Sequence, residues 1–173
     1  DIVEPITSRN RSYEVCIVDI TGRDEARVQS DRLRQLATDY GLAANKHQVP
    51  EVVFKGTEDM QRGYLQALFT ADGSFQDGGK KGASIRLASS VIELLEQVQM
   101  LLGNFGIASK LYRNRRDAGY REMPDGKGGS KEYWSQAQHE LVITKNNMVV
   151  FHDEIGFLME YKQEALNDYI TRG

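Results

Sequence analysis

The stretch Gly63-Tyr64-Leu65-Gln66-Ala67-Leu68-Phe69-Thr70-Ala71-Asp72-Gly73-Ser74-Phe75 constrains the fold more than any other part of the chain. Leu65, Leu68 and Phe69 recur at helical spacing and mark a buried face. Gly63, Ala67 and Ala71 fall four apart on a neighbouring stripe, where small side chains let a second helix backbone come close. The helix is expected to end at Gly73, because glycine tolerates the left-handed conformation that commonly terminates helices. A carboxylate at a helix C-terminus meets the negative end of the dipole, so Asp72 is unfavourable there unless a cation accompanies it.

On either side of this stretch the pattern alternates between strand and helix. Tyr13–Ile20 reads as a strand rich in β-branched residues. Asp24–Tyr40 has a helical pattern with Val28, Leu33, Leu36 and Tyr40 as inward positions, and Val49–Phe54 a short extended or single-turn segment. Thr57 is an N-cap candidate with Glu58 and Asp59 in the first turn. After Asp72, a strand begins at Ser74, Asp77–Gly82 forms a hairpin loop, and Ala83–Ala88 returns with Ile85 and Leu87 on one face. Ser89 or Ser90 is expected to cap a long helix that runs to Asn104. Lys110–Arg116 reads as a third strand, Ala118–Lys131 as a glycine-rich excursion, and Tyr133–Thr144 as a fourth strand. Helices over 146–155 and Leu158–Ile170 complete the chain. Apolar-Gly-apolar stops recur at Tyr40-Gly41-Leu42, Phe105-Gly106-Ile107 and Ile155-Gly156-Phe157. They fit either glycine's ordinary use as a helix stop or an internal repeat.

Composition narrows the chemistry. Cys16 is the only cysteine, so neither an intrachain disulfide nor a cysteine-rich zinc site is available. A reducing, cytoplasmic setting is the expectation. His47, His139 and His152 lack the i, i+4 pairing of a helical zinc motif, so any metal is expected to be a hard ion held by oxygen. There is no apolar run of membrane-spanning length, and no membrane partner is expected. The net charge of −3 counts against nucleic-acid binding, but its distribution does not. Lys110, Arg113, Arg115, Arg116 and Arg121 cluster against the single acid Asp117, with Tyr112 and Tyr120 between them.

The order from Thr57 to Ile170 is αββαββα, an α+β layer with a four-stranded antiparallel sheet and helices on one face. This order, together with Leu65–Gly73, resembles the LAGLIDADG homing endonucleases. The stretch departs from the family consensus at Gln66, Ala67, Phe69 and Thr70 and keeps the terminal acid. Val49-Pro50-Glu51, Gln61-Arg62-Gly63-Tyr64 and Phe151–Phe157 look like the surroundings of a second motif in intein-borne members. The resemblance implies residues 49–173 as one half-domain, with 1–48 a partial first repeat or N-terminal extension. Splicing residues are not apparent, so an intein association is expected through the endonuclease portion.

What the resemblance implies about chemistry is specific. Two motif helices pack through the face of Gly63, Ala67 and Ala71, and two terminal acids hold divalent metal between saddle-shaped sheets lying in the DNA major groove. Asp72, with Gly73 beside it, would be one such acid, with Mg²⁺ (or Mn²⁺) as cofactor. Lys145, directly after the fourth strand, would be the basic residue near the metal, with Arg23 a loose counterpart in the partial copy. Ser89 and Ser90 fall where members often carry a polar, water-ordering residue. Lys162 is expected to be a phosphate contact or a solvated lysine. Lys80, Lys81, Arg86, Arg113, Arg115, Arg116, Gln136 and Gln138 are the expected contacts to double-stranded DNA. The second acid would come from a homodimer or a second repeat. The alternative is a non-cleaving module on the same fold, a DNA-binding regulator or maturase-like RNA binder.

Overall fold

At Asp72-Gly73 the chain passes from helix straight into strand, and the rest of the fold is laid out around that junction. The computed structural model describes residues 16–19, 26–41, 47–124 and 128–172, and the chain divides into two compact units, Asp1–Lys46 and His47–Gly173. In the first unit β1 (Cys16–Asp19) pairs antiparallel with β2 (Ala26–Gln29), and α1 (Asp31–Asp39) follows. The expected helix from Asp24 to Tyr40 is therefore corrected over Ala26–Gln29, which form the second arm of a hairpin. What remains of it starts where Ser30 caps Leu33 N–H. α1 buries no residue, and Leu36 and Tyr40, expected inward, are exposed.

The second unit carries the expected αββαββα order. It runs α2 (Glu51–Phe54), α3 (Glu58–Asp72), β3 (Gly73–Asp77), β4 (Ala83–Ser89), α4 (Ile92–Asn104), β5 (Lys110–Arg116), β6 (Gly119–Pro124), β7 (Ser130–Ser135), β8 (Gln138–Thr144), α5 (Asn146–Glu154) and α6 (Glu160–Arg172). The main sheet has the order β3-β4-β8-β5, all antiparallel. Two expectations are corrected here. The excursion at Ala118–Lys131 is instead built largely into a second, two-stranded ribbon, β6–β7. The single strand expected over Tyr133–Thr144 breaks at Gln136-Ala137, with Tyr133–Ser135 joining the ribbon and Gln138–Thr144 the sheet.

Alternation across the sheet places Ile85, Leu87, Leu141 and Ile143 against the helices, and all four are buried. Leu65 and Phe69 of α3 meet them, with Leu95, Val98, Leu101 and Leu102 of α4, Phe151 of α5 and Leu166 of α6. Phe69 and Phe151 pack edge to face with centroids 5.0 Å apart. The buried Gln61 is satisfied: it donates to Phe54 C=O and accepts from Asn104 Nδ2, tying α2, α3 and α4 together.

The helix ends differ in instructive ways. Thr57 caps α3 as expected, accepting from Met60 N–H. Gly41, Gly106 and Gly156 all take positive φ, so the three apolar-Gly-apolar stops are left-handed caps. Gly73 is not one. Its φ of −83° and ψ of 160° are extended backbone open to any residue, which corrects the expected left-handed stop. Space is what requires glycine there: a Cβ would lie 2.6 Å from Phe69 C=O and 2.9 Å from the Phe69 ring. Ser89 accepts from Val91 N–H, which makes Val91, and not a serine, the N-cap of α4.

Gly73→Ala is expected to lower stability by about 1–3 kcal/mol, because backbone atoms must move to admit the methyl group. Gly63→Ala is expected to raise it by about 0.5–1 kcal/mol, since an added Cβ meets nothing within 4 Å and glycine weakens a helix interior. Urea denaturation of the two variants checks both signs.

Candidate nucleic-acid and metal site

Asp72 ends α3 with its side chain exposed, one residue before the start of β3. The cation at this end of the helix is Lys162, from α6. Its half-buried ammonium donates to Thr70 C=O at 2.6 Å and to Gly73 C=O at 2.8 Å. It thus occupies the last turn of α3, where carbonyls lack intrahelical partners and the dipole favours a positive charge. Thr70 Oγ1 accepts from Leu158 N–H at 2.8 Å, and Gln66 Nε2 donates to Ile155 C=O at 2.7 Å. Four hydrogen bonds involving two α3 residues, Gln66 and Thr70, and Gly73 therefore anchor the acid-bearing end to the α5–α6 segment. Lys162 is not the fully solvated lysine that is one of the two expectations from sequence. It is the basic group the fold brings to the C-terminal end of α3.

Lys145 is not brought there. Ser84 pairs with Thr144 and Asp77 with Ala83, so Lys145 stands level with the far end of β3. Four residue rises of about 3.4 Å put roughly 14 Å of strand between that end and Gly73. Lys145 lines instead a cleft of about 450 Å³ with Asp77, Asn146, Tyr169 and Arg172. Its backbone has φ 56° and ψ −138°, a conformation strained for a residue with a side chain. Arg23 lies outside the described residues.

Gly63, Ala67 and Ala71 are all exposed on α3. The opposite face of the helix holds Leu65 and Phe69 in the core, so the small-residue stripe is open to a second surface. Beside it Tyr64 is half-buried, and that burial pushes its hydroxyl above the usual phenol range. Arg62 braces the helix from the other side. It binds Glu58 and Glu154, and its guanidinium lies 5.0 Å from the Phe105 ring centroid. Its hydrogen bond to the Glu154 carboxylate raises its pKa further.

The face of the sheet away from the helices carries Gln76, Arg86, Tyr112, Gln138 and Glu140, by the same alternation that buries Ile85 and Leu141. Arg116 stands opposite Gln138, and Arg115 reaches the same face because the β5–β8 register shifts between Tyr112 and Arg116. Asn114 takes φ 49° within the shift, and its N–H donates to His139 Nδ1 at 3.0 Å. Arg113 is a correction. Two residues on from the inward Leu111, it pairs with Glu96 of α4 on the helical side of the sheet. Lys80 and Gln136 are exposed in the links at the strand ends, and Lys81 closes the turn Gly79–Lys81. Sequence reasoning passed over Glu140, whose alternation with Leu141 placed it on this face.

The residues present fit one half of a divalent-ion site. Among the described residues no group of three or more His, Cys, Asp or Glu comes together, so Asp72 offers a single hard oxygen donor. Mg²⁺ tolerates this, because it keeps several waters and is commonly held by one or two carboxylates with phosphate oxygens. Lys162→Met is expected to destabilise the protein by about 1–3 kcal/mol, since it strips two buried-end carbonyls of a charged donor. Lys145→Gly is expected to stabilise it by about 1 kcal/mol through relief of backbone strain. Thermal unfolding of both variants separates a clamping lysine from a strained surface one.

The model of the LAGLIDADG-like domain family matches residues 59–156. The alpha subunit of ribonucleoside-diphosphate reductase NrdEB from Bacillus subtilis is 36% identical over 123 residues, 70% of this chain but 11% of the reductase. The DNA-directed RNA polymerase subunit Rpo1C of Methanocaldococcus jannaschii is 24% identical over 147 residues, 85% of this chain and 14% of that subunit. The chain thus spans only about a tenth of the length of these relatives. Among solved structures, I-DmoI in complex with DNA and Ca superposes with a TM-score of 0.59 at 19% identity, covering 96% of this chain and 73% of that one. At that identity the likeness is one of fold.

Proposed function

The chain belongs to the LAGLIDADG-like domain family, and from that premise we propose that it is the DNA-cleaving half of a homing endonuclease, hydrolysing phosphodiester bonds with divalent metal. The observation that carries this reading is the end of α3. Asp72 is exposed, rigidly anchored through Lys162, and placed beside an open stripe of Gly63, Ala67 and Ala71. A second α3 packed on that stripe would bring a second acid near the first, and the two carboxylates would hold divalent metal. Mg²⁺ or Mn²⁺, when bound, supplies Lewis acidity toward a phosphate and a bound water. Asp72 holds the ion, Lys162 fixes the Thr70 and Gly73 carbonyls that position the acid, and its charge sits where phosphate negative charge accumulates. Outside the junction, the outer sheet face with Gln76, Arg86, Arg115, Arg116 and Gln138 suits the major groove, which admits β-strands.

Two observations support insertion of this element into other genes, and so an intein-like setting. The matching segments occupy about a tenth of a reductase subunit and of a polymerase subunit. Those two proteins share no activity that would explain a common segment. A mobile, self-inserting element does explain it.

Incubation with Mg²⁺ and a randomised-target duplex library, followed by sequencing of new ends, is expected to reveal a defined cut site. Asp72→Asn is expected to remove cleavage by at least two orders of magnitude while gel-shift affinity stays within about threefold. Binding without cutting by the wild-type chain, in Mg²⁺ and in Mn²⁺ alike, would instead establish the non-cleaving module. Gly63→Leu is expected to weaken self-association on the target, because close helix approach is blocked; sedimentation velocity on DNA reads this.

A further inference from the structure

Arg86, Glu140 and Arg115 stand on three neighbouring strands, β4, β8 and β5, and meet on the outer face of the sheet. Arg86 Nη1 donates to the two Glu140 oxygens at 3.1 and 3.3 Å, and its Nε donates to the buried Ser84 hydroxyl at 2.8 Å. Arg115 Nε lies 3.4 Å from Glu140 Oε2, and its guanidinium stacks 5.0 Å from the Tyr112 ring centroid. Lys110 covers the same ring at 4.9 Å. Arg115 reaches the carboxylate only through the irregularity at Asn114, whose positive φ is uncommon for a residue other than glycine. Among the described residues Arg86 Nη2 and both Nη atoms of Arg115 make no protein hydrogen bond.

This is not how a phosphate clamp is built. A carboxylate only 16% exposed, shared by two arginines, repels a phosphate and weakens any purely electrostatic grip. It does hold two planar donor forks in place before a partner arrives, which reduces the rotamer freedom lost on binding. The mixture of fixed donors and one acceptor matches base edges.

We propose that the Arg86–Glu140–Arg115 cluster is a base-reading element that selects adjacent G·C pairs in the major groove, an inference that rests on the DNA-binding part of the proposed function. Guanine offers O6 and N7 to a guanidinium fork, and the cytosine amino group offers a donor to Glu140. Thymine O4 in the same place faces the carboxylate with a second acceptor. Because both guanidiniums converge on one carboxylate, the bases they read lie within neighbouring steps of the duplex, spaced about 3.4 Å apart.

The test is selection from a randomised duplex library by wild type, Arg86→Gln, Arg115→Gln and Glu140→Gln, with affinities then measured across a salt series. The wild type is expected to select two adjacent G·C pairs. Arg86→Gln is expected to lose the preference at one pair and about tenfold or more in affinity for the selected duplex, with the salt slope nearly unchanged. Arg115→Gln, at a side chain 53% exposed, is expected to do the same at the neighbouring pair. Glu140→Gln is expected to keep or raise affinity for unselected DNA while losing discrimination against A·T pairs. A selected site without guanine preference overturns the proposal. So does an Arg86→Gln loss that is equal for all duplexes and lowers the salt slope by about one, the signature of a phosphate contact. If the wild type binds no duplex even at low salt, the DNA-binding reading falls and this inference with it.

Discussion

The absence of a side chain at Gly73 is the constraint on which the rest of this structure depends. With φ of −83° the residue asks nothing unusual of its backbone, yet a Cβ would sit 2.6 Å from Phe69 C=O. The helix therefore turns into β3 without a loop, and the acid preceding the turn is held at a defined place on the edge of the sheet. Lys162 completes the arrangement by donating to the Thr70 and Gly73 carbonyls. A loop of even a few residues at this point would uncouple the helix end from β3, and the proposed metal site needs its ligand held more rigidly than that.

From the same junction two surfaces follow. Leu65 and Phe69 turn one side of α3 into the core, which leaves Gly63, Ala67 and Ala71 outside, and β3 begins an antiparallel sheet whose second face is also left uncovered by the helices. The unit is thus built with an open helix stripe and an open polar sheet face that share one carboxylate at their edge. Net acidity of the whole chain is no obstacle, because the cations are segregated: Lys110, Arg115 and Arg116 lie on β5, and many acids lie on the helices.

Much of this was legible from sequence. The helical period of Leu65, Leu68 and Phe69, the alternation of Ile85 and Leu87, the Thr57 cap and the glycine stops at Gly106 and Gly156 each reflect local rules, and the structure follows them. Errors arose where a local rule had two outcomes. Ala26–Gln29 read as helix because a polar, weakly apolar segment fits either period, and pairing with β1 decided it. Gly73 read as left-handed because glycine at a helix end commonly is, whereas here a neighbouring carbonyl required it. Arg113 read as a DNA contact because the alternation within β5 does not by itself say which face the helices cover, and the packing of Leu111 against the core put Arg113 on the helical side.

By itself the sequence determined the αββαββα order from Thr57 onward, the buried face of α3 and the acid at its end, because periodicity, capping and turn chemistry act over a few residues. Tertiary structure alone decided which cation stands at that helix end. Lys145 follows a strand that runs away from it, and Lys162, ninety positions along the chain from Asp72, is carried back by α6 to the last turn of α3. Sequence distance orders residues along the chain, but strand direction and helix packing set which of them meet.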